Sequence, residues 1–408
     1  MKKKVGIVGG GAAGMVAAVF AARNGAEVTI LEGNDRLGKK ILSTGNGKCN
    51  LGNMRLSTED YYTGDTAFLK NRLEEFGTED TIAFFNQLGL MVKQIGDGLY
   101  PVSEQASTVL DALRYEIKAK KIQVINGFHV EKVRRNQAKN KICVMQKENV
   151  LEFDSLVLAC GGKAAPKTGS DGSGYELAKS IGHSLVPVVP ALVQLKCKEE
   201  WFKSISGVRA KAGICVRGND EKEYEENGEI QFTDYGISGI PVFQLSRVAN
   251  YILRERKEIE FIIDFLPWMN KEGFAERLLA ERSSIEDGRT LEEYFTGILN
   301  KKIMLLFLKI CGLHPGDLVK SVKRDKLKKV YELCRDFKVT VVGSNSFDNA
   351  QVCAGGVPLH EVSEGMESGK MPGVFLAGEL LDVDGKCGGY NLQWAWCSGA
   401  IAGTSAAK

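Results

Sequence analysis

The 408-residue chain has no CxxC motif, only four histidines and nine prolines, and no excess of either charge. Without a CxxC, and without a second glycine-rich dinucleotide fingerprint, a pyridine-nucleotide disulfide reductase is excluded. Few prolines in a 44% hydrophobic, 26% charged composition exclude a disordered or collagen-like chain. Lys+Arg 54 against Asp+Glu 51 leaves a net +3, which offers no large field toward nucleic acid or an anionic membrane, so neither is expected as a partner. A small-molecule substrate is expected instead. The ten cysteines are scattered, and the one CxxH, Cys311 with His314, lacks a second ligand pair for a tetrahedral zinc site. No metal is expected, and reduced thiols point to a cytoplasmic setting.

Long apolar runs are also missing. Lys2, Lys3 and Lys4 precede 18 uncharged residues, Val5 to Ala22, which mimic a secretory leader, but five glycines interrupt them and a strand pattern follows. Neither a leader nor a transmembrane helix is expected.

Glycine is what the chain has in surplus. Residues 6–52, 161–182 and 355–403 hold 28 of the 46 glycines in 118 residues. The first segment reads Val5-Gly6-Ile7-Val8, then Gly9-Gly10-Gly11-Ala12-Ala13-Gly14, then a helical stretch to Gly25, then Glu27-Val28-Thr29-Ile30-Leu31-Glu32. This pattern is strand, turn, helix and strand, closing on an acid. Gly9 permits the tight turn, Gly11 lets a pyrophosphate approach the backbone, and Gly14 lets helix and strand pack closely. The helix amides beyond Gly11, from Ala12 and Ala13 onward, favour an anion, and Glu32 is placed for the ribose hydroxyls. NAD and FAD share this signature. A second basic, glycine-rich loop with Lys40, Thr44, Gly45, Gly47 and Asn50 follows the ribose strand; it suits the longer FAD.

Further along, the apolar run Leu156 to Gly162 reads as a buried parallel strand whose end, with Ala159 and Gly161, meets the cofactor. Gly373 to Glu379 is another, and Glu379, after Gly378, is the natural partner of a ribityl hydroxyl. Gly389, Asn391 and Leu392 open a last helix whose amides can face the flavin pyrimidine. Cys49 and Cys387 lie in these loops without a partner at exchange spacing.

The Lys40–Asn53 loop and above all Gly378-Glu379-Leu380-Leu381-Asp382-Val383-Asp384-Gly385-Lys386-Cys387-Gly388-Gly389-Tyr390-Asn391-Leu392-Gln393-Trp394-Ala395-Trp396 resemble the BaiN-like FAD-binding oxidoreductases, also called the aminoacetone-oxidase type. The resemblance covers nearly the whole chain. It implies an α/β fold: a discontinuous Rossmann-like FAD-binding domain, residues 1–187 and 345–408, with an inserted substrate domain at 188–344. The insert would be a β-barrel over 188–265 and helical over 266–344. By family position, the Val130 backbone contacts the adenine. Asp234 stands where many relatives carry His; with Tyr235 it is a candidate for proton handling, and Ser238 for capping the helix that follows. Trp201, Phe202, Phe232, Tyr235, Phe243 and Trp268 offer apolar surface. Two activities stay open: reduction of a conjugated C=C in a 3-oxo steroid or bile acid by FAD with NAD(P)H as transient reductant, or oxidation of an aminoacetone-like amine by oxygen. The lysine-rich run 320–329 reads as a solvated helix face.

Overall fold

A computed structural model describes residues 2–218, 220–285 and 288–408. Asn219, at the start of the charged run Asn219-Asp220-Glu221-Lys222-Glu223, lies outside them. The chain divides into two compact units, residues 1–189 with 347–408, and residues 190–346. No described helix is long and apolar enough to cross a membrane.

The first unit is built on a five-stranded parallel sheet in the order Val374–Leu376, Ser155–Leu158, Lys4–Val8, Glu27–Glu32, Gln123–Asn126. Ile7 in the central strand pairs with Val157 on one side and Ile30 on the other. Residues 5–8 and 155–158 are buried throughout, as continuous apolar strands covered on both faces must be. One cover is the antiparallel meander Lys132–Asn136, Lys141–Gln146 and Asn149–Phe153. The Phe153 ring lies so close to Gly6 that a Cβ there would come within 2.7 Å of it. On the sheet, helix Ala12–Arg23 meets the last helix, Tyr390–Ala407. Their backbones touch because Gly399 and Gly403 carry no side chain; a Cβ at either would fall 2.5 Å from the Ala13 carbonyl oxygen or 2.2 Å from that of Ala17.

The second unit is a closed six-stranded barrel, in the order Leu195–Cys197, Gly236–Ser238, Glu223–Phe232, Arg209–Arg217, Ile259–Asp264, Phe337–Ser344, with a helical elaboration between its last two strands. The barrel core stacks Phe202, Phe232, Phe265, Phe307 and Phe337.

Several expectations are corrected here. The helical part ends at Leu333, not 344, because Phe337, Val339 and Val341 alternate inward with outward Lys338 and Thr340 and close the barrel. Their period of two is a strand signal. Ser238 caps nothing: it ends a strand, and Gly239, with φ 107°, precedes helix Ile240–Ile252. A Cβ at Gly239 would lie 2.3 Å from the Glu229 carbonyl oxygen, so only glycine turns there.

Candidate functional site

A cavity of about 390 Å³ opens at the carboxyl ends of the parallel strands in the first unit, the end of an open α/β sheet where ligands bind. All three glycine-rich segments reach it. Of the residues read from the sequence, Gly9, Gly11, Ala12, Ala13, Glu32, Lys40, Thr44, Val130, Ala159, Gly161, Gly378, Glu379, Asn391 and Leu392 line it.

The turn after the first strand is held by Gly9, whose N–H donates to the Leu31 carbonyl at 2.8 Å. Its φ of 96° and the Ala159 carbonyl 2.5 Å from a Cβ built there leave glycine as the one fit. Gly14 is equally tight, with Gly9 O at 1.9 Å from such a Cβ. Gly11 differs from both. Its backbone is extended, and nothing lies within 4 Å of a Cβ there. The protein itself does not require glycine at 11, and the uncapped helix N-terminus beside it leaves open space and free amides of the kind that hold an anion. This is the fit expected of a dinucleotide cofactor.

Glu32 ends the second strand, nearly buried. One carboxylate oxygen accepts from Gly10 N at 2.7 Å, the other from Asn34 N and Asn34 Nδ2, both at 2.8 Å. Amides thus fix the acid in one orientation at the cavity wall. Glu379 is fixed likewise: Cys353 N donates to it at 2.7 Å and the Lys40 ammonium at 2.9 Å. Its neighbour Gly378, φ 73°, donates its N–H to Ser398 Oγ and accepts from Trp394 Nε1. Asn391 clamps Gly385 twice, accepting from its N–H and donating to its carbonyl.

Five expected residues do not line the cavity. Gly14 serves helix packing. Gly45 and Gly47, with Asn46 and Cys49, form a run of left-handed conformations. Asn50 sits behind that loop, accepting from Leu99 N at 3.1 Å. Gly389 starts the last helix, φ 96°, where a Cβ would meet Gly52 O at 2.5 Å and Asn50 Oδ1 at 2.8 Å. These four shape the wall from behind. Cys49 is buried, its thiol pushed up to about 11 by burial, which opposes redox reactivity. All ten cysteines are free thiols.

Sequence reading missed Asn34, Arg36, His129, Asp171, Gln351 and Trp394, which also line the cavity. Asn34 and Arg36 follow Glu32 closely enough to have been found; His129 and Gln351 carry no local signature.

Asp234 and Tyr235 belong to the other unit, on the turn between strands Glu223–Phe232 and Gly236–Ser238. Both are exposed. The Tyr235 hydroxyl accepts from Asn345 Nδ2 at 3.1 Å. Phe202 and Phe232 are wholly buried barrel core and offer no surface to a substrate, whereas Trp268, Tyr235 and Ile240 are exposed. No group of three or more metal-ligating side chains gathers among the described residues.

Sheet, glycine turn, fixed acid and inserted barrel together define a Rossmann-fold, flavin-dependent oxidoreductase. The chain belongs to the family described as HI0933-like protein Rossmann domain, whose pattern matches residues 3–405. It is 43% identical over 408 residues, 99% of each chain, to the 3-dehydro-bile acid delta(4,6)-reductase of Clostridium scindens. It is 28% identical over 397 residues, 96% of this chain and 95% of the other, to the ribosomal RNA dihydrouridine synthase of Haemophilus influenzae. Among solved structures it shares its fold with the 3-ketosteroid-delta4-(5alpha)-dehydrogenase of Rhodococcus jostii RHA1, at 16% identity and a TM-score of 0.52, covering 100% of this chain and 97% of that one.

Proposed function

We propose that the protein is an FAD-dependent reductase that saturates a C=C bond conjugated to a carbonyl, with a 3-oxo-4,6-diene steroid of the bile-acid type as substrate and NAD(P)H as transient reductant. The observation that carries the reading is the cavity in which three distant glycine-rich segments meet around Gly11, Glu32 and Glu379. The steroid is taken from the 43% identity to the bile-acid reductase. The reductase and the dihydrouridine synthase share a reaction type, since a dienone and a uracil ring each present a C=C conjugated to a carbonyl.

When bound, FAD supplies the hydride. Everything else falls to the chain. The helix amides after Gly11, at Ala12 and Ala13, hold the diphosphate, and Gly9, Ala159 and Gly161 let it approach, while Gly14 keeps the helix packed against the turn. Glu32 receives the adenosine ribose hydroxyls, and the Val130 backbone meets the adenine. Glu379 receives a ribityl hydroxyl, oriented by Lys40, while Thr44 borders the same stretch. Gly45, Gly47 and Asn50 keep that loop in shape. Amides after Gly389, at Asn391 and Leu392, face the pyrimidine edge and stabilise negative charge there. Asp234 and Tyr235 are the candidates for moving the proton that must reach the substrate carbon after hydride addition.

The test is anaerobic mixing of the yellow protein with NADH and NADPH, followed by 3-oxo-4,6-diene steroids and aminoketones. Bleaching by a nicotinamide nucleotide and recovery of the colour on adding the dienone are expected. Bleaching by aminoacetone alone would establish the amine-oxidase alternative.

A further inference from the structure

One wall of the cavity is neither a strand end nor a long helix. Residues 162–172 run from the buried strand Ser155–Leu158 to helix Ser173–Ser180, with a single short turn at Pro166–Thr168. The ends of this loop are joined, since Gly172 N donates to the Gly162 carbonyl at 3.1 Å. A compact loop of this size with closed ends is an Ω-loop. Gly161, φ 73°, and Gly172, φ 89°, stand at its base, where backbone rotation costs glycine little.

The loop is fastened on its first half. Lys163 N donates to Cys353 Sγ at 3.0 Å, and Ala165 N to the Phe347 carbonyl at 2.8 Å. From Pro166 to Asp171 the bonding is different. Among the described residues, every hydrogen bond of this half runs within the loop or to Ser173 beside its base. Yet Pro166, Thr168, Gly169, Ser170 and Asp171 all line the cavity. A segment that covers a cavity with so few outside bonds belongs to the low-stability end of a fold and opens locally.

The tip of the loop meets the end of the sheet at Asn34. Gly169, φ 107°, lies so close that a Cβ there would collide with Asn34 Nδ2. Asn34 is itself held from two other sides. Its Nδ2 donates to Glu32 Oε1 at 2.8 Å, and its Oδ1 accepts from the Lys39 ammonium at 3.3 Å. One side chain thus bridges Glu32 and the loop tip.

We infer that residues 162–172 form a strap that closes the adenosine end of the cofactor cavity, and that Asn34 is the positioning residue that latches it. Asn34 couples the two: a ribose held by Glu32 keeps the latch in place, and the cofactor leaves when the strap lifts. The strap deepens the proposed function, because it rests on FAD occupying this cavity, although not on the substrate that is reduced.

Trypsin reads the strap directly, because Lys167 lies exposed on it; Lys147, on the exposed meander turn and outside the cavity lining, is the internal control. FAD and ADP share the adenosine end. Each should slow cleavage of wild-type apoprotein after Lys167 by about tenfold or more, since cleavage follows the open population, and FMN should not. Cleavage after Lys147 should stay unchanged throughout. In Asn34→Ala and Gly169→Ala holoproteins at saturating FAD, Lys167 should be cut faster than in wild type. Both should also release FAD faster on dilution, followed by flavin fluorescence. Near-ultraviolet circular dichroism checks that each variant is folded. Faster release from Asn34→Ala with Lys167 still protected would reduce Asn34 to a support of Glu32 and overturn the latch. Protection by FMN, or none by ADP, overturns the placement at the adenosine end. FAD uptake with Lys167 equally exposed before and after sinks the strap alone, whereas a wild type that takes up no FAD sinks the cofactor reading and the strap together.

Discussion

Lys40 and Glu379, 339 residues apart in the chain, form an ion pair of 2.9 Å on the wall of the cavity. The pair ties the basic loop after the second strand to the end of the strand Val374–Leu376, and it leaves Glu379 oriented by Lys40 on one side and by Cys353 N on the other.

Removing the lysine therefore disorients an acceptor rather than emptying a pocket. Lys40→Met should weaken FAD binding by roughly tenfold, the low end of what a charge-assisted hydrogen bond contributes. Lys40→Arg should recover part of the loss. Titration of apoprotein with FAD, followed by flavin fluorescence, measures both.

The glycines of the turn separate structural from cofactor demands. Gly11→Ala meets no protein atom, so its apoprotein should melt within a few degrees of wild type while losing most of its FAD. Gly14→Ala drives a Cβ into the Gly9 carbonyl. It should destabilise by about 1–3 kcal/mol or more, as overpacking does. Thermal melts of the two apoproteins, alongside flavin content after gel filtration, distinguish the two roles.

His183 provides the pH dependence. Buried, its Nδ1 donates to Glu361 at 2.7 Å, and its Nε2 accepts from the Ser368 hydroxyl at 2.7 Å. The serine oxygen is itself occupied by the amides of Lys370 and Met371, so the hydroxyl proton is the one that faces the ring. Burial lowers the His183 pKa, against a raising effect of Glu361. The unfolded chain takes up its proton near the ordinary value of about 6.5 and the folded chain only at lower pH. Between the two the unfolded state binds more protons, so stability falls as pH drops below about 6.5. His183→Gln should be less stable at neutral pH, and its melting temperature should change less across that window.

Cys49 and Cys353 are held as thiols by burial, pushed up to about 11 and about 12. In native protein at mildly alkaline pH both should resist iodoacetamide and react only after denaturation, as peptide mass mapping would show. Rapid native alkylation of Cys49 would contradict the assigned burial.

The cofactor end of the fold was legible in the sequence because its constraints are local. A tight turn, a close helix approach and a terminal acid each demand one residue type at one position, as at Gly9, Gly14 and Glu32. The loop behind the wall was legible only as glycine-rich: Gly45, Gly47 and Gly389 act through backbone geometry and Asn50 through a side-chain hydrogen bond from Leu99 N, so spacing could not tell lining from support. The barrel was less legible. Phe337–Ser344 closes it from beyond a helical stretch, and a partner strand 74 or more residues away leaves no local mark; Phe261 pairs with Val339. The aromatic residues of the insert carried no directional signal, so buried Phe232 and exposed Trp268 looked alike.

The central claim is that this cavity holds FAD for reduction of a carbonyl-conjugated C=C. Its most direct measurement is the anaerobic absorbance of the flavin near its visible maximum. One equivalent of NADPH or NADH should bleach it, and one equivalent of a 3-oxo-4,6-diene steroid should restore the colour as one of its two C=C bonds is reduced. A flavin that no nicotinamide nucleotide bleaches, or that stays bleached in the presence of the dienone, would contradict it.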